Sequence, residues 1–389
     1  MLPLEGIRVL DLSRVLAGPY CTMLLADLGA DVVKVERPGE GDETRTWGPP
    51  YAGGEAAYFL SVNRGKRSIA VDLGKPEGQE VVRRLARTSD VVLENFRPGT
   101  AKRLGVAYDD LERDNPRLVH CSISGFGRRE PAGRPGYDFV VQAESGLMAI
   151  TGDPGGPPTK VGVAVVDVLT GYAAATSILA ALTARTESGR GAQLEVSLLD
   201  TALSALVNVA AAALVTGADP RRFGNAHPNI VPYQTFDTAD GVLAVAAAND
   251  GLFRRLCDVL GRPELADDDR FRTNPLRVGH RDELVPELQR SFSARPAAEW
   301  LEKLAGAGVP AGKVRGVLDA LSAAAGSFTV DHPTAGPLPL VTSPVAPADP
   351  EPSPPPLLGQ HTREVLAENG WTAAETEALE RARVVQAVG

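Results

Sequence analysis

The chain has 389 residues, 43% of them hydrophobic and 23% charged, with a formal net charge of −9 and a pI near 5.2. That length exceeds what one hydrophobic core usually serves, so two domains, or one large domain carrying an inserted lobe, are expected. The acidic balance argues against nucleic acid as a partner, because phosphate backbones attract basic faces, and no uninterrupted apolar stretch reaches the roughly 18 residues of a membrane helix.

The first residues, MLPLEGIRVLDLSR, lack a basic segment followed by an apolar core and a cleavage site, so a soluble, cytoplasmic protein is expected. IRVLDL (7–12) reads as a buried strand, and GPYCTMLLADLGA (18–30) as a helix with Pro19 suited to its first position and Gly29 to its end. DVVKVE (31–36) is a second strand. RSIAVDL (67–73), the helical PEGQEVVRRLA (76–86), DVVLEN (90–95) and RLVHCSIS (117–124) continue the alternation. Alternation of this kind predicts an α/β fold with a doubly wound, Rossmann-like parallel sheet covered on both faces. From about 139 to 216 the pattern is helical, interrupted by the strand QLEVSLL (193–199), which feeds a long alanine-rich helix at 201–215.

A polar stretch at 221–236 then leads into the strand GVLAVAAA (241–248) and a run of helices, which predicts a smaller α/β lobe. The expected division is a large lobe over 1–221, a small lobe over 222–325, and a proline-rich strap with a C-terminal return over 326–389. Within it, 331–358 is so rich in proline that an extended connector is predicted, with neither helix nor central strand.

Chemistry-bearing motifs are few. No GxGxxG follows a predicted strand, and GxxxxGK[ST], HExxH and GxSxG are absent, so no metal and no permanently bound cofactor are expected. Cys21, Cys121 and Cys257 lie far apart without CxxC spacing and read as small buried hydrophobes. Basic residues recur at strand-to-loop junctions: Arg14, Arg37, the cluster Arg64, Lys66 and Arg67, and Arg97. Strand ends of a parallel sheet converge on one crevice, so these charges either collect around a phosphorylated ligand or are scattered, solvated surface charge. Asp167 stands out as an acid among apolar and small side chains in VGVAVVDVLTG. It reads as a helix N-cap or a catalytic carboxylate, and the two are compatible because a carboxylate at a helix start can also face a crevice.

Taken together, LEGIRVLDLSRVLAGPYCTMLLADLGADVVKVERPGEGDETR, NRGKRSIAVDL, ENFRPG, SGFG, PGYDFVVQAESGLM, GPPTKVGVAVVDVLTG, GRGAQLEVSLLD, FRTNPLRVGHRDEL and GVPAGKV resemble the class III coenzyme A transferases over nearly the whole chain. The resemblance implies an acyl-CoA thioester as substrate, a carboxylic acid as acceptor, and Asp167 as the nucleophile. It places the loop containing Arg14, Val15 and Ala17, together with Arg37, Arg67, Asn95, Arg97, Arg103 and Tyr137, along the CoA site. It also implies a homodimer of interlinked, ring-shaped chains.

One departure from formyl-CoA transferase is the lack of a glycine run in the smaller lobe, near AVAAANDG (244–251), where Asn249, Asp250 and Gly251 offer a different lid. The rival of another reaction class is a 2-methylacyl-CoA racemase, which carries histidine where this chain has Tyr137. An ordinary tyrosine is a poor base at neutral pH. A non-catalytic CoA-binding protein is the third reading.

Overall fold

A computed structural model describes residues 2–127, 134–346 and 352–388. The chain divides into two compact units, the first comprising Met1–Leu147, Val161–Val215 and Ala325–Gly389, the second Met148–Lys160 and Thr216–Ala324. Residues 148–160 therefore leave the large lobe in which the sequence placed them, and the later breaks fall at 216 and 324 rather than at 222 and 325.

In chain order the strands are β1 (Arg8–Asp11), β2 (Asp31–Glu36), the short pair β3 (Tyr51–Ala52) and β4 (Glu55–Ala56), β5 (Lys66–Val71), β6 (Val91–Glu94), β7 (Val119–Ser124) and β8 (Ala192–Ser197). β9 (Tyr233–Asp237), β10 (Val242–Ala246) and β11 (Ala311–Lys313) follow in the second unit. β12 (Ser327–His332), β13 (Gly336–Val341) and β14 (Val385–Gln386) return to the first. The main sheet runs β14-β5-β2-β1-β6-β7-β8, parallel throughout except where β14 pairs antiparallel with β5. Strand order reverses between β1 and β6, and in open parallel sheets ligands sit outside the carboxyl ends at such a reversal.

The apolar runs that marked these strands are explained by burial on both faces. Val9, Val32, Val91 and Val119 pack on one side, beneath the helices Ala17–Asp27 and Val165–Ser188. Their neighbours Leu10, Val33 and Val92 pack on the other, with residues of the helices Pro76–Arg87 and Thr362–Glu368. This is the period-two alternation of a pleated strand with apolar residues in both registers. The 24-residue helix Val165–Ser188 is long and apolar enough, by length and composition, to cross a membrane. Its buried stripe of Val166, Thr170, Gly171, Ala174, Ile178 and Leu182 recurs at helical spacing and packs in the core. Where it crosses Ala17–Asp27, a Cβ added at Gly171 would lie 2.9 Å from the Ala17 carbonyl oxygen, so only glycine allows this approach.

Two local expectations change. The alanine-rich helix is two helices, Leu198–Ala205 and Val207–Thr216, bent by 78° at a break where Val207 has φ +40°. The strap is partly a hairpin, with Pro337 and Pro339 of β13 in register with Asp331 and Thr329 of β12. A two-stranded ribbon consists only of edges, so each proline can turn its donor-less nitrogen outward. The second unit holds an antiparallel sheet, β11-β10-β9, on an aromatic core in which Phe236 stacks on Phe292 at 4.6 Å. Asn249 caps the helix Asp250–Leu260 through Leu252 N–H, and Asp250 pairs at 2.8 Å with the fully buried Arg277. Both polar side chains offered as a lid are thus engaged in holding local structure.

Candidate active site

The loop after β1 is built over a dense layer of buried charge. Asp11 accepts the Ser13 backbone N–H, the Thr22 hydroxyl at 2.6 Å and Lys66 Nζ at 3.2 Å. Lys34 Nζ reaches the Ser13 carbonyl at 2.8 Å and the Asp42 carboxylate at 2.9 Å, and both charged side chains are entirely shielded from solvent. Glu36 receives two bonds of 2.7 Å from Arg45. Burial alone would raise the pKa of these acids. Lys66 and Lys34 outweigh it at Asp11, Lys34 at Asp42 and Arg45 at Glu36, so all three stay below the ordinary carboxylate range. Burial wins at Lys66, which is lowered to about 8 with only partial compensation from Asp11.

This layer holds the loop in an unfavourable shape. Val15 has φ +71°, a conformation costly for a β-branched residue, while its N–H points to the Asp42 carboxylate at 3.3 Å. Asn95, just beyond β6, clasps the Arg14 backbone on both sides, accepting its N–H at 2.9 Å and donating to its carbonyl at 2.7 Å. The loops after β1 and β6 are thus stitched together at the point where strand order reverses. Beside them the SGFG and PGYD segments meet so closely that a Cβ at Gly125 would fall 2.6 Å from Gly136 Cα.

Asp167 projects from the first turn of Val165–Ser188 into a cleft of about 530 Å³. It is not the cap of that helix, because the N-cap position is Ala164 and the first-turn N–H groups are met from elsewhere. Asp138 Oδ1 accepts Val166 N–H at 2.8 Å and Asp167 N–H at 3.3 Å. Among the described residues no cation or hydrogen-bond donor meets the Asp167 carboxylate. Burial, and then the charge of Asp138, push its pKa up to about 7. Among the described residues four arginines, Arg14, Arg97, Arg103 and Arg134, line the same cleft against two acids, Glu43 and Asp167, so an acidic chain presents local positive charge here.

A family model described as CoA-transferase family III matches residues 4–362. The chain belongs to CoA-transferase family III. It is 45% identical over 377 residues to the mouse succinyl-CoA:glutarate CoA-transferase, covering 95% of this chain and 86% of that one. It is 48% identical to the succinate–glutarate CoA-transferase of Agrobacterium fabrum, covering 81% and 80% of the two chains. A crystal structure of a CAIB/BAIF family protein from Brucella suis superposes with a TM-score of 0.82 at 43% identity, covering 95% of this chain and 99% of that one.

In this family III enzyme the cleft gathers Arg14, Val15, Ala17, Asn95, Arg97, Arg103, Tyr137 and Asp167 from the residues expected by sequence. It does not gather Arg37 or Arg67. Arg37 is exposed and pairs with Glu40 at 3.1 Å, while Arg67 lies at the opposite, amino-terminal end of the sheet, held by Asp31, Glu364 and Glu368. Arg64 and Lys66 are buried in ion pairs with Asp27 and Asp11 and are not available to a ligand. The three cysteines are buried, and their thiols are pushed above the ordinary range by that burial. Sequence reasoning missed Asp42, Asp138 and Gln142. The usable signal was an apolar helix start, Ala164-Val165-Val166, which must borrow its cap.

Proposed function

We propose that this enzyme moves coenzyme A from an acyl-CoA to a free carboxylic acid through covalent intermediates on Asp167. The observation that carries the reading is a buried carboxylate that meets no cation among the described residues, in a cleft whose described lining includes four arginines. Asp167 Oδ attacks the thioester carbonyl, the C–S bond breaks, and CoA leaves as thiolate, giving a mixed anhydride that retains the reactivity of the thioester. The thiolate then attacks Asp167 Cγ, releasing the donor acid as carboxylate and leaving an aspartyl-CoA thioester. The incoming carboxylate repeats the exchange in reverse order and restores Asp167. No water enters and no net proton is consumed, so burial of the nucleophile suits the chemistry. Arg97 and Arg103 are proposed to meet the CoA phosphates, and Arg14, Val15, Ala17 and Tyr137 to line the path to Asp167.

The mouse and Agrobacterium relatives are named for succinate and glutarate, so short dicarboxylic acids are the proposed donor and acceptor class. A homodimer is proposed as the working form, to be checked by light scattering. The deciding experiment incubates the enzyme with succinyl-CoA and isotopically labelled glutarate, with mass spectrometry of product and protein. Labelled glutaryl-CoA and a CoA adduct on Asp167 are expected. Asp167→Asn is expected to lose both, and full transfer by that variant would sink the mechanism. Incorporation of solvent deuterium at the α-carbon of a 2-methylacyl-CoA without an acceptor acid would instead establish the racemase reading.

A further inference from the structure

A second carboxylate stands beside Asp167 and has no part in the acyl-transfer steps above. Asp138 opens the helix Asp138–Glu144, is 7% exposed, and binds the N–H of Val166 and of Asp167 itself through Oδ1. Its Oδ2 accepts Gln142 Nε2 at 2.6 Å, and Gln142 Oε1 takes the Val161 N–H at 2.9 Å. One carboxylate and one amide therefore hold the approach to the helix at 161 and its first turn at 166–167. A helix amino terminus ordinarily favours negative charge on a first-turn carboxylate through its unpaired N–H groups. Here two of those groups already face another anion.

We propose that Asp138 is a positioning residue for the nucleophile, fixing the Asp167 backbone by accepting its N–H and placing a second negative charge beside its carboxylate. A neighbouring anion disfavours ionisation and keeps a carboxylate basic, and a more basic carboxylate is the stronger nucleophile once ionised. The proposal rests on Asp167 being the nucleophile. Among the described residues, the other titratable or charged groups around it are Tyr58 from the helix Ala57–Ser61, Tyr137 next to Asp138, and Arg14, Glu43, Arg97, Arg103 and Arg134 on the cleft wall. Arg14 is turned toward Glu43 at 3.7 Å. The Asp167 pKa is raised by burial first and by the Asp138 charge second.

The test is the pH dependence of kcat for succinyl-CoA–glutarate exchange in wild type, Asp138→Asn, and the double variant Asp138→Asn with Gln142→Glu. Asparagine keeps an oxygen for the two N–H groups but removes the charge. In the double variant the carboxylate introduced at position 142 can accept both the new amide at position 138 and the Val161 N–H. That restores the clamp with its charge one side chain farther from Asp167. The wild-type acid limb is expected near pH 7, where Asp167 titrates. In Asp138→Asn the limb should move down by roughly one unit, as for loss of a neighbouring like charge, while plateau kcat falls several-fold and the KM for succinyl-CoA holds. The double variant should recover the melting temperature but keep the shifted limb, which a purely structural cap would not do. An acid limb unmoved in whichever of these variants folds overturns the proposal. If Asp167→Asn is inactive and the limb is unmoved, only the role of Asp138 falls. If Asp167→Asn transfers CoA, the nucleophile reading itself has failed.

Discussion

Two sets of buried carboxylates lie within the same unit and meet opposite fates. Asp11, Glu36 and Asp42, under the loop after β1, are each matched by lysine or arginine and stay ionised. Asp167 is buried with no cation against it among the described residues, and burial followed by the charge of Asp138 raises it to about 7. Desolvation acts on all four in the same direction, so the difference lies in the partners. Matched charges define the backbone of a loop, and the unmatched carboxylate is left more basic than an ordinary one. A strained Val15 and a buried, raised-pKa Asp167 line one cleft, the first held by the matched layer and the second outside it.

Removing a match should break the first set outright. Lys34→Met leaves Asp42 and Asp11 without their shared cation and is expected to cost about 3–5 kcal/mol in urea unfolding. A loss below about 1 kcal/mol would mean that the layer is not what holds the loop. Relieving the mismatch should do the reverse. Asp167 titrates higher in the folded state than the ordinary 3.8, so the native protein binds that proton more tightly, and stability is lost as pH rises from the ordinary carboxylate range through about 7. Asp167→Asn is therefore expected to raise stability at pH 8, by at most about 4 kcal/mol, with the gain fading in acid. Equal melting temperatures for the two proteins at pH 8 would contradict this.

The arginines repeat the contrast on a smaller scale. Arg103→Ala, in the cleft, should raise the KM for acyl-CoA about tenfold, the worth of one charge-assisted contact to phosphate. Arg67→Ala removes a guanidinium already shared among three carboxylates at the amino-terminal end of the sheet. Its expected effect is under about 1 kcal/mol in stability, with KM unchanged. A KM that rose as much as in Arg103→Ala would place Arg67 at the CoA site after all.

Much of the first unit was legible in sequence because its strands are buried on both faces and its helices are punctuated by glycine and proline. Period and punctuation are local properties. What failed was non-local. Arg67 begins a strand, as Arg97 follows one, and a junction in sequence does not say which end of the sheet it occupies. Lys66 and Arg64 looked like available cations because their partners, Asp11 and Asp27, lie 55 and 37 residues away. Asn95 read as a ligand contact and does line the cleft, but its grip on a backbone 81 residues upstream was not visible in the sequence. Asp167 was visible as an acid out of place, but its neighbour Asp138 was hidden inside the PGYD motif, where the tyrosine drew the argument. The hairpin of β12 and β13 was missed because proline content was weighed without asking which side of an edge strand it would face.

The main sheet is finished by β14, whose residues Val385 and Gln386 cover the outer edge of β5. On a ribosome, every residue of the second unit through 324 would emerge before that edge could close. The second unit can therefore become compact first, while the larger sheet waits with one strand bare, a template for pairing with other chains. Pulse-labelling of nascent chains should find the aromatic core around Phe236 protected from exchange before β5 is.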